Sequence, residues 1–270
     1  MTDVPPTSAR PAGPVTIVCL AFGDVYGMAD LYIGRLFHML ERHCPRPFRL
    51  VCYTDRPRRV PAAIEQRDCA AWTELERAGM RPTTRKLGLF NPAYAEFEEF
   101  LYLDLTLVVR KDMGPLLDFA FGRPEDLVIL RDWHYDGYNS SVMRIRRGAL
   151  RWVYEAFVAG TRFEQRIPGD QDFLHQAIVR RSLQHRVALF PPGLVASFRQ
   201  VRRSRDPDFV RRSVASATIV KFHGDPKMHD AFELRYRLRR RVRELLHGHL
   251  LPVVPLGELR RQWLGKRVPR

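Results

Sequence analysis

Four short stretches of this chain hold side chains that could do chemistry: Asp104-Leu105-Thr106, Asn139-Ser140-Ser141, Asp170-Gln171-Asp172 and His223-Gly224-Asp225-Pro226-Lys227. Asp104 is the most demanding of them. It interrupts the apolar and aromatic run 100–109, Phe-Leu-Tyr-Leu-Asp-Leu-Thr-Leu-Val-Val, which reads as a strand buried on both faces. A carboxylate there is costly unless a charge or a hydrogen bond meets it. At the carboxyl end of a strand in an open α/β sheet it would face a ligand, and an Asp so placed can hold a cation that in turn holds phosphates. The competing reading is a turn residue in a bent strand.

The other stretches have the same double aspect. Asn139, Ser140 and Ser141 offer an amide and two hydroxyls suited to a sugar or a phosphate, yet Asn-Ser-Ser is also common turn chemistry. Asp170 reads as a helix N-cap, with Gln171 and Asp172 in the first turn. His223 to Lys227 follows the strand candidate 218–222 directly.

An α/β scaffold would position these groups. The run 15–20 reads as a first buried strand, followed by a turn holding Gly23 and Gly27 and a helical pattern over 30–43. Strand, Gly-containing turn and helix open a nucleotide-binding unit. G-x-G-x-x-G is absent, however, and the two glycines serve equally well as plain turn formers. A second strand, 48–53, stops at Thr54-Asp55 and makes a parallel pair with a right-handed crossover. Residues 56–84 read as connections with a short helix near 72–79, and order resumes at Lys86-Leu-Gly-Leu-Phe90. A strand at 126–130, helices at 150–159 and 173–179, and strands at 186–190 and 218–222 complete the pattern. Pro191-Pro192-Gly193 and an Arg-rich loop over 199–212 lie between the last two. The expected fold is a mixed, mostly parallel sheet flanked by helices.

Composition bounds the rest. With 270 residues, 45% of them hydrophobic, the chain can form one globular domain with appendages. Cys19, Cys44, Cys52 and Cys69 form no C-x-x-C pair and read as reduced thiols. The Pro-rich start, 1–14, reads as disordered and lacks an export signal, and no apolar run approaches the roughly 20 residues of a membrane span, so a cytoplasmic protein is expected. The net charge of +15 calls for an anionic partner: nucleic acid, phospholipid or phosphorylated substrate. No helix-turn-helix, zinc or RNA-binding signature supports nucleic acid. Residues 230–270 read as a basic helical extension, with Arg235, Arg237, Arg239, Arg240, Arg241 and Arg243 among apolar residues. It would lie either on an anionic membrane surface, such as that of the inner membrane, or on the domain's flank.

In this order and spacing, Tyr102-Leu-Asp104, Asn139-Ser-Ser-Val142, Asp170-Gln-Asp172 and His223-Gly-Asp-Pro-Lys227 resemble the motifs of bacterial glycosyltransferases of the GT-A fold, near glycosyltransferase family 8. The likeness spans roughly 15–229. Gly23-Asp-x-Tyr-Gly27, Cys52-x-Thr-Asp55 and Lys86-Leu-x-Leu-Phe90 resemble a related branch. The resemblance implies a nucleotide-diphospho-sugar donor, such as a UDP-sugar, and Mn²⁺ or Mg²⁺. It also implies transfer with retention to a hydroxyl of a glycan, lipid-linked or protein acceptor.

Asp104 matches the first Asp of the family's D-x-D metal motif, Thr106 stands at the second, and His223 matches a further metal ligand. Lys227 matches a lysine on the donor diphosphate; Asp170 and Gln171 match residues of the sugar pocket, the Gln near the anomeric centre. Asp24, Tyr26 and Thr54 fall where the base would sit, and Lys86, Asn139, Ser140 and Asp172 where the rest of the donor would. A hydroxyl at 106 can coordinate Mg²⁺ but brings no charge, so metal binding should be weak. Thr106 and the Arg-rich end also admit a second class: a degenerate relative that binds a nucleotide sugar or an anionic surface without turnover.

Overall fold

The structure is a computed structural model that describes residues 13–236 apart from 165 and 205, together with 238–239, 242 and 256–265. Most of the expected N-terminal segment, and Arg237, Arg240, Arg241 and Arg243 of the expected basic helix, lie outside the described residues.

Strand β1 (Val15–Ala21) is an interior strand of a seven-stranded sheet. Its residues are apolar on both faces because both faces are covered. It pairs in parallel with β2 (Phe48–Thr54), which in turn pairs in parallel with β3 (Ile64–Asp68). On its other side β1 runs parallel to β4 (Glu99–Leu103). Helix α1 (Ala29–His43) makes the crossover and buries Ala29, Tyr32, Ile33, Leu36, Phe37 and Leu40, one face of a helical repeat. Gly23 and Gly27 have φ of +65° and +69°, so they serve as turn formers.

The run 100–109 is two strands. β4 ends at Leu103, and β5 (Leu107–Val109) belongs to a second, three-stranded sheet with β9 (Val195–Ser197) and β10 (Ile219–Lys221). Asp104 lies at the crossing between sheets, which answers the question its burial raised. The large sheet continues through β7 (Tyr138–Arg146), antiparallel to both β4 and β6 (Leu127–Arg131), and ends at β8 (Val187–Leu189). Asn139, Ser140 and Ser141 are therefore buried strand residues rather than a turn.

Other expectations need correction. The edge strand β3 falls inside 56–84; its sequence, Ile-Glu-Gln-Arg-Asp, leaves most side chains in solvent and so has no apolar signature. The helix expected near Trp72 is one 3₁₀ turn, Thr73–Leu75. A helix α2 (Gly114–Gly122) went unread. Helices α3 (Arg151–Val158) and α4 (Asp170–Arg180) are as expected within a few residues. The Arg-rich segment read as a loop is two helices, α5 (Phe198–Arg203) and α6 (Pro207–Ser216). The Ser197 hydroxyl caps the first, and the Asp206 carboxylate, with proline at the next position, caps the second.

The last described helix, Leu256–Leu264, lies within the stretch read as an extension and buries Leu256, Leu259 and Trp263 in the main core. Its Glu258 pairs with buried Arg110, and Trp263 meets Tyr32 edge-on at 5.7 Å. Among the described residues no helix is long and apolar enough to cross a membrane. Cys19, Cys52 and Cys69 are buried, and all four cysteines are free.

Candidate active site

A cleft of about 410 Å³ opens where β4 and β10 end and β7 begins. Asp104 stands at its foot. The pairing of Leu103 with Val142 carries one residue further, so the Asp104 N–H donates to the Ser141 carbonyl at 2.9 Å. In the small sheet Lys221 lies opposite Leu107, and the Phe222 N–H donates to the Thr106 carbonyl. This register aims the Lys221 side chain at Asp104 and Thr106.

The result is a buried charge cluster. Lys221 Nζ lies 2.5 Å from Asp104 Oδ2 and donates to Thr106 Oγ1 at 2.6 Å. Lys86, from the 3₁₀ stretch Pro82–Phe90, lies 2.8 Å from Asp104 Oδ1 and 3.7 Å from Asp170 Oδ2, and donates to Ser140 Oγ at 3.1 Å. Tyr102 OH donates to Asp104 Oδ1 at 2.8 Å, and the Ser140 hydroxyl donates to Asp170 Oδ2 at 2.5 Å. The side chains of Lys221, Asp170 and Lys86 are only 5%, 5% and 9% exposed. Two ammoniums and two carboxylates leave the cluster formally neutral, which is what permits its burial. Burial pushes the Asp104 carboxyl upward, but Lys221 and Lys86 outweigh it and hold the group well below the usual carboxylate range. Burial lowers Lys86 too, yet Asp104 and Asp170 bring it above its ordinary value. Lys221 ends below its ordinary value, since burial and the neighbouring Lys86 outweigh Asp104.

The cation expected at Asp104, Thr106 and His223 does not fit these side chains. Asp104 and Thr106 both receive the Lys221 ammonium. His223 Nε2 is 2.6 Å from Ser197 Oγ, and its ring stacks on Trp133 with centroids 5.6 Å apart. Among the described residues no group of three or more His, Cys, Asp or Glu could hold a metal ion. Two like unit charges 4 Å apart repel by about 4 kcal/mol at an effective dielectric near 20, and a divalent ion beside either lysine would double that. Burial, with Lys221 adding to it, lowers the His223 pKa to about 4, so the ring is neutral at pH 7.

The cleft gathers most of the expected residues. Tyr26, Lys86, Asp104, Thr106, Asn139, Asp170, Gln171, Asp172 and His223 line it, with Ser140 just behind. Asp170 is not an N-cap: Gly169 holds that position, and the Asp170 carboxylate turns to Ser140 and Lys86, whose buried charge needs it more. Asp172 accepts from Arg166 and the Ile167 N–H, which ties down the approach to α4.

Thr54 lies away from the cleft. Its hydroxyl accepts from Arg58 and donates to the Arg56 carbonyl, and so braces the end of β2. Asp24 is exposed and faces Arg56 at 3.8 Å. Lys227 is near the rim, 3.3 Å from Asp225 and 5.1 Å from the Tyr26 ring centroid.

Lys221, Arg81, Arg166 and Arg199 also line the cleft, and sequence reasoning passed over them. Lys221 did leave a signal: a lone charge in the strand Thr-Ile-Val-Lys-Phe raises the same question as Asp104 in its own run. Arg81 and Arg166 left none, because isolated arginines in connecting segments are ordinary, and Arg199 was legible only as the start of an Arg-rich stretch, 199–212.

No family model matches the chain, and no curated protein is similar to it by sequence. Solved structures are. The galactosyltransferase LgtC, in complex with donor and acceptor sugar analogues, superposes with a TM-score of 0.53 at 18% identity over 94% of this chain and 100% of that one. An active-site mutant of LgtC gives 0.57 at 16% identity, over 94% and 98%. Mouse xyloside xylosyltransferase 1 gives 0.52 at 14% identity, over 79% and 98%. With strand order β3-β2-β1-β4-β7-β6-β8 and a cleft at the crossing between sheets, the chain has the fold of the GT-A glycosyltransferases.

Proposed function

We propose that this chain transfers a sugar from a nucleotide-diphospho-sugar donor, a UDP-sugar in the first instance, to an acceptor hydroxyl with retention at the anomeric carbon. The observation that carries the proposal is the buried cluster of Lys86, Asp104, Lys221 and Asp170 at the foot of a cleft lined also by Arg81, Arg166 and Arg199. Such a wall suits a polyanion beside a hydroxyl-rich ring. The likeness to a galactosyltransferase crystallised with donor and acceptor sugar analogues supports this reading.

Donor transfer breaks the bond between the anomeric carbon and its phosphate oxygen, and the electron pair stays on the nucleoside diphosphate. The acceptor oxygen bonds to that carbon and its proton passes to the released phosphate oxygen. This chain's residues bind and orient. Lys221 and Arg199 face the diphosphate as its charge grows, which favours the transition state over the ground state. Asp170, held by Ser140 and Lys86, and Gln171 beside it in the first turn of α4 direct hydrogen bonds at the sugar. Asn139 Oδ1 is committed to the Ser141 N–H, which leaves its amide hydrogens for the cleft and for Asp132.

Incubation of the full chain with a panel of nucleotide sugars, followed for release of nucleoside diphosphate, tests the proposal. One donor should be consumed, and Gln171→Ala should slow that turnover by about a hundredfold or more while the fold is kept. Tight donor binding without any turnover, with or without candidate acceptors, would favour the non-catalytic binding protein.

A further inference from the structure

We infer that the donor diphosphate is held here by the Lys221 ammonium together with Arg199, in place of a divalent cation, so that nucleotide binding needs no metal. The inference rests on the sugar-transfer reading above. Its warrant is the way Lys221 is built in. The strand pairing of β10 with β5 fixes its backbone, its side chain is 5% exposed, and it satisfies both the Asp104 carboxylate and the Thr106 hydroxyl. Those are the two side chains of Asp104-x-Thr106 that a cation would have to share. A hydroxyl at 106 is what an ammonium requires, since it accepts a hydrogen bond without adding charge. A second carboxylate would leave the cluster with one negative charge in excess.

Charge counting around the cleft agrees. Asp104 and Asp170 are balanced by Lys221 and Lys86, and Asp172 is paired with Arg166. Arg199 lines the cleft beside Gly224 and makes no ion pair among the described residues. With Arg81 and Asp132 included, five basic side chains and four acidic ones line the cleft, which leaves it one positive charge for an anion; Asp132, which makes no ion pair among the described residues, accepts instead from the His134 and Tyr135 N–H groups and the Asn139 amide. Lys221 retains a third N–H beyond those given to Asp104 and Thr106. A phosphate oxygen in the cleft takes that donor, with Arg199 opposite.

Calorimetry on the full chain with UDP, GDP, ADP and CDP, each in EDTA and again with excess Mn²⁺, tests the inference. At least one nucleotide should bind equally well under both conditions. Lys221→Met should weaken that binding by about tenfold to a hundredfold in EDTA, the loss of one charge-assisted contact. Lys221→Met frees Thr106 and Asp104 Oδ2 while Lys86 still holds Oδ1, so added Mn²⁺ should recover at most part of the loss in the variant and do nothing for the native chain. Binding by the native chain that vanishes in EDTA and returns with Mn²⁺ would overturn the inference and leave the sugar-transfer reading standing. Failure of all four nucleotides under both conditions would overturn that reading and this inference with it. The native comparison decides between metal and lysine even if Lys221→Met does not fold.

Discussion

Asp104→Asn keeps the shape of the side chain and removes its charge, and the structure states what that leaves behind. Lys221 and Lys86, at 2.5 and 2.8 Å, lose the carboxylate they share, and both remain below 10% exposure with only Asp170 to offset them. Removing one partner of a buried ion pair costs about 3–5 kcal/mol, because the surviving charge stays out of water. For a chain of this size each kcal/mol moves the melting midpoint by about 2 °C, so a fall of roughly 6–10 °C is expected at pH 7.

The pH dependence separates charge from packing. Two buried ammoniums with one carboxylate between them are held in sum below their unfolded value of about 10.4, so the unfolded chain binds more protons across that interval and stability rises with pH. The deficit of Asp104→Asn should therefore shrink between about pH 8 and pH 10. Adding Lys221→Met should recover part of it at pH 7, because an uncharged side chain of similar length needs no partner. Differential scanning calorimetry at both pH values is the assay. A midpoint shifted by less than about 2 °C, or a deficit equal at both pH values, would refute the reasoning that this cluster is a balanced set of buried charges.

Gly88→Ala should destabilise by about 1–3 kcal/mol in urea unfolding and weaken nucleotide binding too. A Cβ there would meet the Trp72 ring at 2.7 Å, and the displaced 3₁₀ stretch carries Lys86. Trp263→Ala should cost about 3–5 kcal/mol by the same measurement, whereas a detachable C-terminal extension would show no change. Acid should destabilise the native chain in two stages. Between the ordinary His value of 6.5 and about 4 the unfolded His223 takes up a proton that the folded ring refuses, and stability falls with pH. Below the ordinary Asp value of 3.8 the contribution of Asp104 is lost as the unfolded carboxyl protonates. His223→Gln should flatten the first stage alone in melting curves taken against pH.

The sequence by itself determined the strands that are apolar on both faces, the first crossover helix and the place of Asp104, because burial and periodicity are written in neighbouring residues. It also determined that Asp104 needed a partner, a charge or a hydrogen bond. Which partner was a matter for the tertiary structure. Lys86 and Lys221 are 18 residues before and 117 after Asp104, and although Lys221 is marked locally as a lone charge in its strand, nothing in the neighbouring residues ties either lysine to that carboxylate. Only the register of β10 against β5 and the packing of the 3₁₀ stretch bring their ammoniums to one carboxylate. The local pattern Asp-x-Thr, followed far along the chain by His, therefore read as a cation site. In the folded chain long-range pairing had already supplied the positive charge from side chains. The same holds at the C-terminal end: the crowding of arginines is local and legible, while the burial of Leu256, Leu259 and Trp263 against α1 depends on a surface that exists only once the sheets have assembled.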